Sequence, residues 1–339
     1  MACYTVSLIQ GKTIKGIRIR HATLQGYVSQ ALSLHADRGL TNPNLADINY
    51  IKIMTNAVKK YETVPNRKEM ISDSMFHYMA TLYKRASDDS FVHAVVDWIT
   101  LGCYTGFRKS EWCSDHHDSF ATINDPQWGH RPSTLSVIAS DFAFTTISGR
   151  RLHETESAPD HEVVFSSLCF RKQKNNDNGQ LLTYRRRSDS NWMCPVQASL
   201  NIARRARRRD TPHDHPAAVY RDQGTGLRRL ITAHQVAAFL RQVAHKVFDI
   251  PTDHKDLRAW SCHSIRVTAA NLLHRAKFSD SYIKNRLRWR SDTFLMYLRN
   301  TFYTADQHTN AVTLGLDPPT QELARPLEPH EAILGTDIA

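Results

Sequence analysis

The chain is short of the features that mark several common protein classes. Its six cysteines (Cys3, Cys103, Cys113, Cys169, Cys194, Cys262) are scattered without a Cys-x-x-Cys pair, which argues against a zinc ribbon or finger. None of its eighteen histidines falls in His-Glu-x-x-His or a similar ligand spacing, so most of them read as surface or structural residues. No apolar run approaches the length of a membrane span. No secretory signal is visible, which predicts a reducing compartment and free thiols. There is no acidic cluster to hold a pair of metal ions, which argues against two-metal nuclease chemistry. The residues therefore call for no metal and no small-molecule cofactor.

What the chain does have is positive charge. Its 339 residues are enough for two domains with a real core, and its 41% hydrophobic and 23% charged content is that of an ordinary globular protein. The net charge of +11 is not ordinary, and it makes polyanions the natural partners, nucleic acid first among them. The plainer alternative is a protein that is merely basic.

Taken in order, residues 1 to about 64 read as helical. Ile17, Ile19, Leu24, Tyr27, Val28, Ala31, Leu32 and Leu34 recur near a 3.6-residue period across Ile14–His35. Thr41-Asn42-Pro43-Asn44 breaks the pattern, and a second helix is predicted from about Asn44 to Tyr61, with Lys52, Lys59 and Lys60 on a solvated face or on phosphates. Glu62–Arg67 reads as a linker. Helices are predicted over Ile71–Arg85 and Phe91–Thr105, the second capped by Asp88, Asp89 or Ser90 and stopped by Gly106. The character then changes to strand, over Leu135–Phe144, Glu162–Phe170 and Gln180–Tyr184. The turn Asn175-Asn176-Asp177-Asn178-Gly179 makes a hairpin of the last two. Lys172 and Lys174, two apart, fall on one face of that hairpin. Helices follow from Pro195 through the run Arg204-Arg205-Ala206-Arg207-Arg208-Arg209, over Thr232–Phe248, around His263, and from Ser279 or Asp280 to Arg290. Ser291-Asp292 caps a last helix carrying Tyr297. From Leu316 the tail is acidic and proline-rich, read as an extended arm or as disordered.

Within this frame a few residues carry chemistry. His263 and Arg266 are three apart in a helical pattern, so both project from one face. Arg108, in Thr105-Gly106-Phe107-Arg108-Lys109-Ser110-Glu111, stands three residues before a carboxylate that can brace it. Trp289 and Tyr297 lie downstream. Arg185, Arg186, Arg204, Arg205 and Arg208 are the most concentrated charge, read as lining DNA, as a nuclear import signal or as a solvated face.

The ordered set Arg108, a hairpin lysine, His263-Ser264-Ile265-Arg266, Trp289 and Tyr297 resembles the tyrosine recombinases. It is closest to the Cre-like branch, which also has tryptophan where most members carry a second histidine. The Gln173-Lys174-Asn175 hairpin resembles the recombinases of eukaryotic mobile elements of the DIRS and Crypton type. The likeness covers about residues 68–310. Trp289 to Tyr297 is a step of eight where bacterial and phage members usually have nine, which leaves Tyr303 as the alternative nucleophile.

The resemblance implies a mainly α protein with a small antiparallel β-sheet (α+β). A short helical DNA-clamp domain (1–64) would precede a catalytic domain (68–315) and the tail (316–339). It further implies that Tyr297 attacks a DNA phosphodiester and that Arg108 and Arg266 clamp the phosphate. His263 and Trp289 would assist, Lys174 (or Lys172) would be the general acid, and Glu111 would brace Arg108. The expected partner is double-stranded DNA, bound by a homotetramer on two sites with a dimer on each, and the expected location is the nucleus. A type IB topoisomerase shares this chemistry and is the alternative enzyme; a DNA-binding protein without catalysis is the alternative outside enzymes.

Overall fold

The structure is a computed structural model, and it describes residues 2–10, 19–40, 45–60, 67–113, 136–152, 158–173, 178–188, 193–207, 215–298 and 309. The chain divides into two compact units, Met1–Asn66 and Arg67–Ala339. The tail from Leu316, Tyr303, Lys174 and Arg208 lie outside the described residues.

The first unit is helical: α1 (Ala2–Ile9), α2 (His21–Asp37) and α3 (Leu45–Lys60). Leu8, Leu24, Val28 and Ile51 form its buried core. The apolar period of α2 is the one expected, and α1 is an addition to it.

The second unit is α+β. Helix α4 (Asp73–Arg85) is capped by Ser72 and α5 (Phe91–Thr105) by Ser90, whose hydroxyl accepts from the backbone N–H of His93. Helix α5 is apolar on all sides and buried along nearly its whole length, which makes it the centre of the unit. It packs against α7 (Pro195–Ala206) and α9 (Cys262–Arg275). A four-stranded antiparallel sheet in the order β2-β1-β3-β4 is built from β1 (Phe142–Thr146), β2 (Arg151–Leu152), β3 (Val163–Phe170) and β4 (Gln180–Arg185). A second hairpin, not anticipated from sequence, joins β5 (Val219–Arg221) to β6 (Arg228–Leu230). Helix α8 (Ala233–Phe248) starts at a Thr232–Gln235 capping box, and a short α6 (Lys109–Trp112) follows Gly106. No helix among the described residues is long and apolar enough to cross a membrane.

Two expectations are corrected. The strand predicted from Leu135 begins only at Phe142, because Ala139–Asp141 is a 3-10 turn whose Asp141 carboxylate accepts from the backbone N–H of Ile138. The helix predicted to run to Arg290 stops as α10 (Asp280–Arg286). Its end is forced by Arg288, whose φ of 59° lies in the left-handed region. Tyr297 then closes a 3-10 helix, Asp292–Tyr297.

Candidate active site

Gly106 ends α5 with φ 60°, so the next residues turn away from the helix axis and present Arg108. Gly102, one turn earlier, lets α9 approach α5: a Cβ there would stand 2.5 Å from Cγ2 of Ile265. That closeness carries Arg266, the next residue of α9, to the end of α5. Its guanidinium donates to the carbonyl of Gly106, and to that of Leu287 at 3.0 Å. Ser261 caps α9, its hydroxyl accepting from the N–H of His263, so His263 and Arg266 both lie in the first turns.

Tyr297 is held from the other side. Ala269, Ala270, Ile283, Leu287 and Phe294 form a small separate core against which Trp289, Tyr297 and Leu298 pack. Phe294 is the buried anchor of the segment, while Tyr297 is only half-buried. Asn271, fully buried on α9, donates to the Tyr297 carbonyl at 2.7 Å.

These pieces meet in one open cavity of about 670 Å³. Arg108, His263, Arg266, Trp289 and Tyr297 all line it, together with Lys109, Ser110, Ser261 and Ser291. The His263 and Tyr297 rings are 4.9 Å apart edge to face, and Trp289 and Tyr297 are 4.8 Å apart. The Arg266 guanidinium stacks on Trp289, 4.1 Å from the ring centre. The Trp289 indole N–H is buried and has no hydrogen-bond partner among the described residues. A buried donor in that state is uncommon.

Glu111 is buried beneath the cavity and holds two guanidiniums. Arg108 donates to it from its backbone N–H and from Nη1, each at 2.9 Å, and Arg288 donates from Nη2 at 2.6 Å. Arg108, Arg266 and Arg288 against Glu111 leave a surplus of two positive charges in a desolvated place. The consequence is electrostatic. Burial, then the charges of Arg108 and Arg288, pull the Arg266 guanidinium from its ordinary value down to about 9. Desolvation along its packed face, then the charges of Arg266 and Lys68, hold the His263 imidazole below its ordinary 6.5. An anion in the cavity relieves all of these terms at once.

The basic residues assigned to DNA fall into two groups. Lys172 and Arg185 are exposed at the hairpin, although Lys172 lies beyond the end of β3 and not on the strand. Among the rest, Arg205 is a correction, and Arg208 lies outside the described residues. Arg205 is 2% exposed and paired with Asp97 at 2.6 Å, because it falls on the inward face of α7 with Ile202. Arg204 pairs with Asp160, and Arg186 donates to the carbonyls of Val163 and Asp160 and to Gln197. Arg205 therefore holds α7 to α5, Arg186 ties it to β3, and the exposed Arg204 makes a surface pair.

The sequence reading missed Arg288 as a partner of Glu111, Gln173 as its contact on the hairpin, Lys68 beside His263, and Asn271. No local signal marks Arg288, because the helical pattern reads on through Arg290. The sequence matches no protein-family model and no curated protein.

Proposed function

We propose that this chain is a tyrosine recombinase: an enzyme that cuts and rejoins double-stranded DNA through a protein–DNA phosphodiester. The observation that carries the reading is the convergence of Arg108, His263, Arg266, Trp289 and Tyr297 on one cavity, from positions spread over 190 residues of chain. The surplus positive charge beneath them suits a phosphate and little else of comparable size.

In this reading Arg108 and Arg266 hold the non-bridging oxygens of one phosphate, and the Trp289 N–H donates to one of them. The Tyr297 hydroxyl attacks the phosphorus in line with the 5′ oxygen. As the Oη–P bond forms, the hydroxyl proton passes to His263, whose lowered pKa favours the neutral, proton-accepting form. The P–O5′ bond breaks, and the departing oxygen takes a proton from the hairpin lysine, Lys174. The 3′-phosphotyrosyl product keeps the bond energy for rejoining when another 5′ hydroxyl reverses the steps. Guanidiniums fixed before the reaction stabilise charge as it builds on the phosphoryl oxygens. By the resemblance, the working unit is a homotetramer on two DNA sites and the setting is mobile-element integration or excision in a nucleus.

The test is covalent capture. The full chain is incubated with a genomic library of nicked duplexes, denatured, and the attached DNA sequenced. A recombinase yields an adduct at a recurring site, and Tyr297→Phe abolishes it. An adduct that survives Tyr297→Phe moves the nucleophile elsewhere, with Tyr303 next to be changed. Relaxation of a supercoiled plasmid without a preferred site favours the topoisomerase alternative. Tight DNA binding with no adduct on any duplex leaves a binding protein.

A further inference from the structure

Arg288 sits where glycine would fit more easily, with φ 59° and its side chain fully buried. Three directions of contact leave its guanidinium. Nη2 donates to Glu111, the carboxylate that orients Arg108, at 2.6 Å. Nη1 donates at 2.9 Å to the carbonyl of Thr105, the last residue of α5, next to the Gly106 carbonyl that receives Arg266. Nε donates at 3.1 Å to Oε1 of Gln173, at the base of the β3–β4 hairpin. The face of the group lies 3.6 Å from the Phe170 ring centre, at the end of β3. Its backbone carbonyl accepts from Nη2 of Arg108 at 3.1 Å.

Gln173 in turn closes the hairpin base. Its N–H donates to Oδ1 of Asn178 at 2.8 Å, and its side-chain amide donates to Gln180 at 3.2 Å. A cavity of about 340 Å³, lined by Asn178, Gly179, Gln180, Lys284, Asn285, Arg288 and Trp289, separates this base from the end of α10. Phe170 packs in the core against Phe107 and Arg171 pairs with Asp141, which fixes the end of β3; the Arg288–Gln173 bond carries that order into the loop beyond it.

We propose that Arg288 is a positioning residue that locks the base of the β3–β4 hairpin in register with the two phosphate-holding arginines. A planar guanidinium, with donors fixed in a fork, holds three acceptors at set angles; an ammonium cannot. The catalytic consequence rests on the strand-transfer reading above: the hairpin that delivers the general acid and the arginines that hold the phosphate move as one body.

Two variants of the full chain test this. Gln173→Met cuts the hairpin arm and leaves the Arg288–Glu111 pair. Arg288→Lys keeps a charge against Glu111 and loses the fork. Gln173→Met is expected to keep a urea midpoint near that of the wild type; Arg288→Lys, which leaves the Thr105 carbonyl and the Gln173 amide oxygen without their donor, lowers it. In both, amide hydrogen exchange around Phe170 and Gln180 rises about tenfold or more, while exchange in α5 and α9 stays unchanged. Single-turnover adduct formation falls about tenfold or more, with DNA affinity unaltered. Unchanged hairpin exchange in both variants overturns the proposal, even if the wild type forms its adduct. A loss of DNA affinity matching the loss of rate overturns it too. If hairpin exchange responds but the wild type forms no adduct on any duplex, the tie stands and the recombinase reading fails.

Discussion

Replacing Arg266 with methionine separates function from stability in this fold. The guanidinium is 4% exposed and stands among other cations. Burial and the neighbouring guanidiniums hold it down at about 9, so its charged form carries a penalty in the fold. Methionine removes that penalty and fills similar space. Against it stand the carbonyls of Gly106 and Leu287, which lose their donors at about 1–3 kcal/mol each, and the stacking on Trp289, worth about 0.5–2 kcal/mol. The two sides oppose one another, so the urea midpoint of the second unit is expected to move little.

Function does not have that compensation. Two charge-assisted hydrogen bonds to a phosphate, at roughly 1.5–3 kcal/mol each, amount to about a hundred- to ten-thousandfold in single-turnover cleavage. Orthovanadate, which mimics the phosphate in flight, loses affinity over the same range in calorimetric titration. Glu111→Gln provides the opposite case. It leaves Arg288 buried without its carboxylate and is expected to lose about 3–5 kcal/mol of stability. An Arg266→Met protein that unfolds as readily as Glu111→Gln, or that binds vanadate like the wild type, refutes the view of Arg266 as a cation kept for a ligand at the expense of the fold.

Three further outcomes are expected. Gly106→Ala puts a Cβ at φ 60°, 2.9 Å from Cδ2 of Leu287, and is expected to lower stability by about 1–3 kcal/mol in urea melts and to slow adduct formation by shifting the carbonyls that hold Arg266. Arg205→Met strands Asp97 in the interior and is expected to cost about 3–5 kcal/mol, while the salt dependence of DNA binding measured on the protein that remains folded is unchanged. His263, lowered from 6.5 in the folded chain, takes up its proton more readily when unfolded. Stability therefore declines as pH falls from 6.5 through the folded value, and cleavage declines with it as the base is lost. Ring-proton NMR of His263 is expected to show the lowered value in the free protein and a rise when vanadate is bound.

Most helices were legible because their information is local. Apolar spacing and the hydroxyls of Ser90, Thr232 and Ser279 place α5, α8 and α10 within a residue or so at their starts. The short strands β5 and β6, three residues each, carry too little alternation to be read. The basic run of α7 was misread for a different reason. Charge was counted without regard to the helix period, which puts Arg205 one turn from Ile202 and so inside. Lys172 was assigned to a strand face by its even spacing from Lys174, but β3 has already ended at Phe170.

The site divides along the same line. The residues that line the cavity have chemistry that shows in their type and order, which is why Arg108, His263, Arg266, Trp289 and Tyr297 were found. The residues that hold them do not, because their contacts are far apart in the chain: Arg288 to Gln173 spans 115 positions, and Arg288 to Glu111 spans 177. The strain shows in the backbone: α10 is followed, between a leucine and a tryptophan, by an arginine in the left-handed region. Such a residue persists only where its side chain is bound firmly enough to offset the backbone cost. In this fold that binding is to Glu111, the carboxylate that also holds Arg108. The position that looks least suited to arginine is therefore the one where the strain and the proposed chemistry have the same cause.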